Sequence, residues 1–137
     1  MEEHMKNDIG ALILRVTLGI IFLSHGLVKF QGGIENIAGW FESIGLPGFM
    51  AYGVGLLEVI GGIALIVGLG TRVISGLFAL LLLGAIIKVK FAAGFLDGYA
   101  YDVVLLAIAI HLSLNGARFF SLYQSFFAKN NDININS

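Results

Sequence analysis

Glu58 stands alone as an acid in the apolar run from Phe49 to Leu69, inside Gly-Leu-Leu-Glu-Val-Ile-Gly-Gly at residues 55–62. A charge at the centre of a membrane span costs at least about 2.5–3.5 kcal/mol, so such a residue is usually paired, protonated or functional. Other ionisable residues fall in or at the ends of apolar runs, among them Arg15, His25, Lys29, Lys88 and Asp102. From helix rise alone, Asp102 and His25 lie about 5 Å below the outer boundary, Lys88 about 8 Å and Glu58 about 12 Å. Arg15 lies about 9 Å from the opposite boundary and reaches toward Glu58 by the length of its stem. These depths predict an outward-facing polar cluster of Glu58, Lys88, Arg15, Asp102, His25 and Lys29. Its chemistry is proton donation and acceptance beside a lipid-soluble ligand, with a purely structural ion-pair network as the competing reading. Taken singly, Lys29 also reads as a snorkelling anchor, His25 as a packing residue and Asp102 as a favourable charge at a helix N-terminus. His111 lies about 180° round its helix from Asp102 and reads as structural.

The elements that must position these residues follow from composition. The chain has 137 residues, 58% of them hydrophobic and 12% charged, with a mean hydropathy of +0.92. A water-soluble domain carries about 25% charged residues, so this chain has too few to cover a soluble surface. The apolar residues come in blocks long enough to cross a bilayer. The sequence therefore predicts one all-α domain, an integral membrane four-helix bundle, with spans near 9–28, 49–69, 73–93 and 99–115. Ile34, Ile37, Ala38, Phe41 and Ile44 recur at helical spacing, predicting a short interfacial helix at 33–44 between spans one and two. Phe119, Phe120, Tyr123, Phe126 and Phe127 predict an amphipathic segment at 117–128.

With Cys 0 the chain offers no thiol redox centre or thiolate metal site, and no metal-ligand motif is present. A net charge of −1 gives no case for nucleic acid. The opening segment Met1–Gly10 carries acids as well as bases and lacks a cleavage signature, so the first span is expected to be retained. Lys6, Arg72, Arg118 and Lys129 fall on the side of the termini and Lys29 and Lys90 on the other. That balance predicts cytoplasmic termini in the cell membrane. Gly19, Gly26, Gly55 and Gly62 are expected to line helix contacts.

Four stretches carry a family resemblance: Leu12–Phe30 (L-I-L-R-V-T-L-G-I-I-F-L-S-H-G-L-V-K-F), Gly39–Pro47 (G-W-F-E-S-I-G-L-P), Gly55–Arg72 with its Thr-Arg turn, and Asn115–Tyr123 (N-G-A-R-F-F-S-L-Y). Together they resemble the DoxX family of small four-helix bacterial membrane proteins, from about Ile9 to Tyr123. The family's first-span pattern falls on Arg15, His25, Gly26 and Lys29, its second-span acid on Glu58, and its closing pattern on Gly116, Arg118, Ser121 and Leu122. Two positions depart from it: Asp102 stands where the family commonly has Glu, and Asn115-Gly116-Ala117 replaces Gly-Pro-Gly. The resemblance implies an oxidoreductase linked to quinone-coupled sulfur oxidation, quinone and catechol stress, or a membrane oxidoreductase complex. A quinone needs proton donors at its carbonyls as it is reduced, and Lys88, His25 or a protonated Glu58 would serve. No side chain here holds electrons, so a carrier or a redox partner protein, soluble or membrane-bound, is expected. Two other classes stay open: a non-catalytic scaffold docking a soluble redox enzyme through its tail, and a small proton-coupled transporter with Glu58 as proton carrier. An oligomer is compatible with the sequence.

Overall fold

The computed structural model describes residues 2–116, all of its regular structure helical. Helix α1 covers Glu2–Gln31, α2 Ile34–Ser43 and α3 Phe49–Val67. Helix α4 covers Thr71–Ala85 and runs on through a π-helical turn at Ile86–Lys90 and a 3-10 turn at Phe91–Ala93. Helix α5 covers Ala100–Asn115, entered through a second π-helical turn at Phe95–Tyr99. Four helical segments are long and apolar enough to cross a membrane: Met5–Gln31, Phe49–Val67, Thr71–Ala93 and Phe95–Asn115. The chain is thus a membrane bundle of four spans. The amphipathic segment expected at 117–128 lies outside the described residues.

Local chemistry sets the ends. Helix α3 stops at Gly68, whose left-handed φ of 79° lets the amides of Gly68 and Leu69 both reach the Ala64 carbonyl at 2.8 Å. Gly94, with φ of 86°, turns the chain between α4 and α5. Helix α1 starts well before the expected residue 9, because Glu, Lys and Met sustain a helix as it leaves the hydrocarbon.

The four spans alternate up and down. Helix α1 packs most extensively on α3, and α4 on α5; α1 also meets α5 and α3 meets α4, closing a ring. The interior holds Leu18, Phe22, Leu65, Phe78, Leu82, Leu105, Ala109 and Leu112. Phe22 and Phe78 stack across the bundle with ring centroids 3.8 Å apart and planes 9° apart. Helix α2 buries Ile34 and Phe41 against Ala51 at the start of α3 and leaves Trp40 exposed.

Glycine decides how closely α1 and α3 approach. A Cβ on Gly19 would meet the Gly62 carbonyl oxygen at 2.8 Å, and one on Gly62 would meet the Gly19 oxygen and the Leu23 nitrogen at 2.7 Å. A Cβ on Gly26 would lie 2.7 Å from Val59 Cγ2 and 3.0 Å from Glu58 Cβ. Backbone therefore packs on backbone along this seam, as expected where lipid supplies no hydrophobic drive between helices.

Candidate functional site

The α1–α3 seam sets the partner of Glu58. Gly26 lies beside Glu58, so Lys29 stands one turn further toward the helix end and its stem bends back along α3. Lys29 Nζ donates to Glu58 Oε1 at 2.5 Å. The Glu58 side chain is 4% exposed and that of Lys29 24%. Glu58 Oε2 is buried and accepts no hydrogen bond among the described residues. The pair thus sets a charged donor, partly open to the outside, beside a buried acceptor with spare capacity. A group with a carbonyl or hydroxyl oxygen can be held there and can exchange a proton.

A second pair lies at the same end of the bundle. Lys90 Nζ is 3.0 Å from Asp102 Oδ1 and 2.9 Å from Oδ2. Asp102 is buried in the first turn of α5, while Lys90 closes the π-helical turn that ends α4. Gly98 makes this possible: a Cβ there would lie 2.6 Å from the Lys90 carbonyl oxygen. Beside the turn Phe91 stacks on Tyr99 with centroids 5.9 Å apart, and Phe95 meets Tyr99 edge to face at 5.2 Å.

The other expected members fall elsewhere. Lys88, expected in the cluster with Glu58 from its depth, is exposed. Of the residues on its stripe, Leu77 and Gly84 are exposed as well and Leu81 is half-buried, because the buried face of α4 is Thr71, Ser75, Phe78 and Leu82. The inner face carries the hydroxyls of Thr71 and Ser75 while Val and Leu cover the outer one, so apolarity does not mark the inner face. His25 is exposed, one turn before Lys29 on the flank of α1, and makes no side-chain hydrogen bond among the described residues. Arg15 is 1% exposed but belongs to a different layer. It lies two turns before Phe22, about 10 Å along the axis, where the parallel helix α4 brings Thr71 and Ser75 into the core. The structure therefore brings together Lys29 with Glu58 and Lys90 with Asp102, not a cluster of six. Lys90 was missed by sequence reading, which took it for a charge on the outer side. The available signal was its separation of twelve residues from Asp102 across the Gly94 turn.

At the opposite end, a polar cleft of about 500 Å³ is lined by Lys6, Asn7, Asp8, His111 and Asn115 among others. His111 is exposed, and its carbonyl accepts from the Asn115 amide at 2.9 Å. Among the described residues no group of three or more His, Asp or Glu side chains is placed to hold a metal ion.

Comparison with known proteins matches the DoxX family model to residues 10–91. That stretch contains Arg15, His25, Lys29, Glu58 and Lys88, and ends before Asp102. Over 115 residues the chain is 52% identical to "Putative oxidoreductase CatD" of Bacillus subtilis, covering 84% of this chain and 85% of the relative. It is 33% identical over 92 residues to "Uncharacterized membrane protein Rv3486" of Mycobacterium tuberculosis, covering 66% and 56% respectively. It is 38% identical over 65 residues to "Inner membrane protein YqjF" of Escherichia coli, covering 47% and 49%. No solved structure matches the chain.

Proposed function

The chain belongs to the DoxX family, and from this premise we propose that it is a quinone-linked oxidoreductase or detoxification component of the bacterial cell membrane, with Lys29–Glu58 as its proton-handling pair. The name of the Bacillus relative supports the redox class. The observation that carries the site is the buried Glu58 carboxylate, whose Oε2 has no hydrogen-bond donor among the described residues while Lys29 holds Oε1. A quinone reduced to its quinol takes up two electrons and two protons, one proton at each carbonyl oxygen. In this reading Lys29 donates a hydrogen bond to one carbonyl, and Glu58 relays protons through Oε2. The electrons come from a reduced carrier or a redox partner protein, because the chain has no cysteine to store them. Asp102 and Lys90 tie α4 to α5 at the same end of the bundle as the site.

The test is quinone retention. Protein purified from bacterial membranes in mild detergent is extracted, and its menaquinone or ubiquinone is measured by ultraviolet absorbance. Wild type is expected to carry quinone, and Glu58→Gln to stay folded while retaining about tenfold less, the loss of one charged hydrogen bond. A quinone-free wild type, together with proton-driven solute flux in quinone-free proteoliposomes, would refute the redox reading in favour of transport.

A further inference from the structure

Every span turns one face to the lipid, and through the middle of three of the four that face is apolar, with the exposed Lys88 and His111 lying toward the ends of α4 and α5. Helix α3 exposes Phe49, Leu56, Ile60 and Ile63; α4 exposes Val73, Leu77, Leu80 and Ile87; α5 exposes Val103, Val104, Ile110 and Leu114. Helix α1 differs. Its exposed face carries Thr17, Ser24 and Gln31 alternating with Ile13, Ile20 and Leu27. These six positions follow a strict heptad, with the polar residues at every seventh position and the apolar ones midway. Thr17, Ser24 and Gln31 make no side-chain hydrogen bond among the described residues, not even to the preceding turn of their own helix. Acyl chains offer them no partner.

We infer that this face of α1 is the contact surface for a second copy of the chain, forming a parallel, two-fold symmetric dimer along α1. Orientation follows from insertion: two copies in one membrane have the same topology, so their first helices run parallel and each residue meets its own counterpart at equal depth. Hydroxyl and carboxamide groups are both donors and acceptors, so Thr17, Ser24 and Gln31 are each complementary to themselves. Ile13, Ile20 and Leu27 fill the layers between them. The stripe spans nineteen residues, Ile13 to Gln31, about 27 Å of helix, which matches the roughly 30 Å hydrocarbon thickness. The contact uses the side of α1 away from α3, so it leaves the Lys29–Glu58 pair untouched and does not depend on the redox reading.

Single cysteines are introduced into the cysteine-free chain at Thr17, Ile20 and Ser24, and at Ile60, Leu80 and Leu114 on the outward faces of α3, α4 and α5. Membranes are oxidised with copper phenanthroline and run on non-reducing gels. The α1 cysteines are expected to give dimer in at least fivefold excess over the three others. The variant Thr17→Leu/Ser24→Leu, which changes only outward side chains, is expected to keep wild-type thermal stability as a monomer while its dimer fraction by light scattering in detergent falls severalfold. Equal cross-linking on all four helices, a wild type of one copy per particle, or an unchanged dimer fraction in the double-leucine variant would each overturn the inference.

Discussion

Lys29 and Glu58 are unequal partners, and the inequality is measurable. Lys29 is a quarter exposed and one turn from the helix end, while the carboxylate is almost fully enclosed. Glu58→Gln leaves an ammonium that can swing outward on its stem, so the cost is that of a partly exposed pair, about 0–1 kcal/mol. Lys29→Met leaves a buried carboxylate without its cation, a loss of about 3–5 kcal/mol. Thermal unfolding in detergent is therefore expected to show Lys29→Met well below Glu58→Gln. The double variant should recover much of that loss, because no unpaired charge remains. A Lys88→Met substitution, by contrast, is expected to leave stability within about 0.5 kcal/mol of wild type, since its side chain is exposed. Lys90 and Asp102 repeat the asymmetry, with exposures of 39% and 4%. Lys90→Met is expected to destabilise more than Asp102→Asn in the same assay.

At the scale of elements, the glycines divide into two kinds that the sequence does not distinguish. Gly62 faces backbone atoms of α1, and a methyl group there has nowhere to go without separating the helices. Gly53 and Gly84 lie in helices with nothing within 4 Å of a Cβ. Gly62→Ala is accordingly expected to lower the melting temperature and the folded yield. Gly53→Ala and Gly84→Ala are expected to be neutral or to gain up to about 1 kcal/mol of helix propensity. Size-exclusion profiles and thermal melts of the three variants check this. The π-helical turn at Ile86–Lys90 is the other decisive element. It ends α4 with Lys90 turned to Asp102, and with the aromatic cluster of Phe91, Tyr99 and Phe95 forms one end of the bundle.

For the whole molecule, the open question is which end faces the cytoplasm. We propose that the end bearing Lys6 and Arg72 does, with both ion pairs at the outer end. The support is the positive-inside balance, with Lys6, Arg72, Arg118 and Lys129 on the side of the termini against Lys29 and Lys90 on the other. A cysteine at Asn7 is expected to resist an impermeant maleimide in intact cells, and one at Glu35, exposed in α2, to react. The reverse pattern would invert the molecule and place the Lys29–Glu58 pair on the cytoplasmic side.

Sequence by itself determined the class of this protein and its four apolar spans, because hydrophobic length is a one-dimensional property that the bilayer reads directly. It also singled out Glu58, since a lone acid in an apolar run is costly whatever surrounds it. The family was legible too, through Arg15, His25, Gly26, Lys29, Glu58 and the Thr71-Arg72 turn. Which cation meets Glu58 was decided only by tertiary structure. Depth made Lys88 and Arg15 eligible, but partner choice depends on how each helix is rotated and how closely it approaches. Helix α4 is apolar along its outer face and turns the hydroxyls of Thr71 and Ser75 inward, so hydrophobicity does not mark Phe78 and Leu82 as inner and Leu77 and Lys88 as outer. The approach of α1 to α3 is fixed where Gly19 meets Gly62 and Gly26 meets Glu58, a contact between residues more than thirty apart. Lys90 turns to Asp102 through a π-helical turn, where the 3.6-residue period used to assign faces no longer holds.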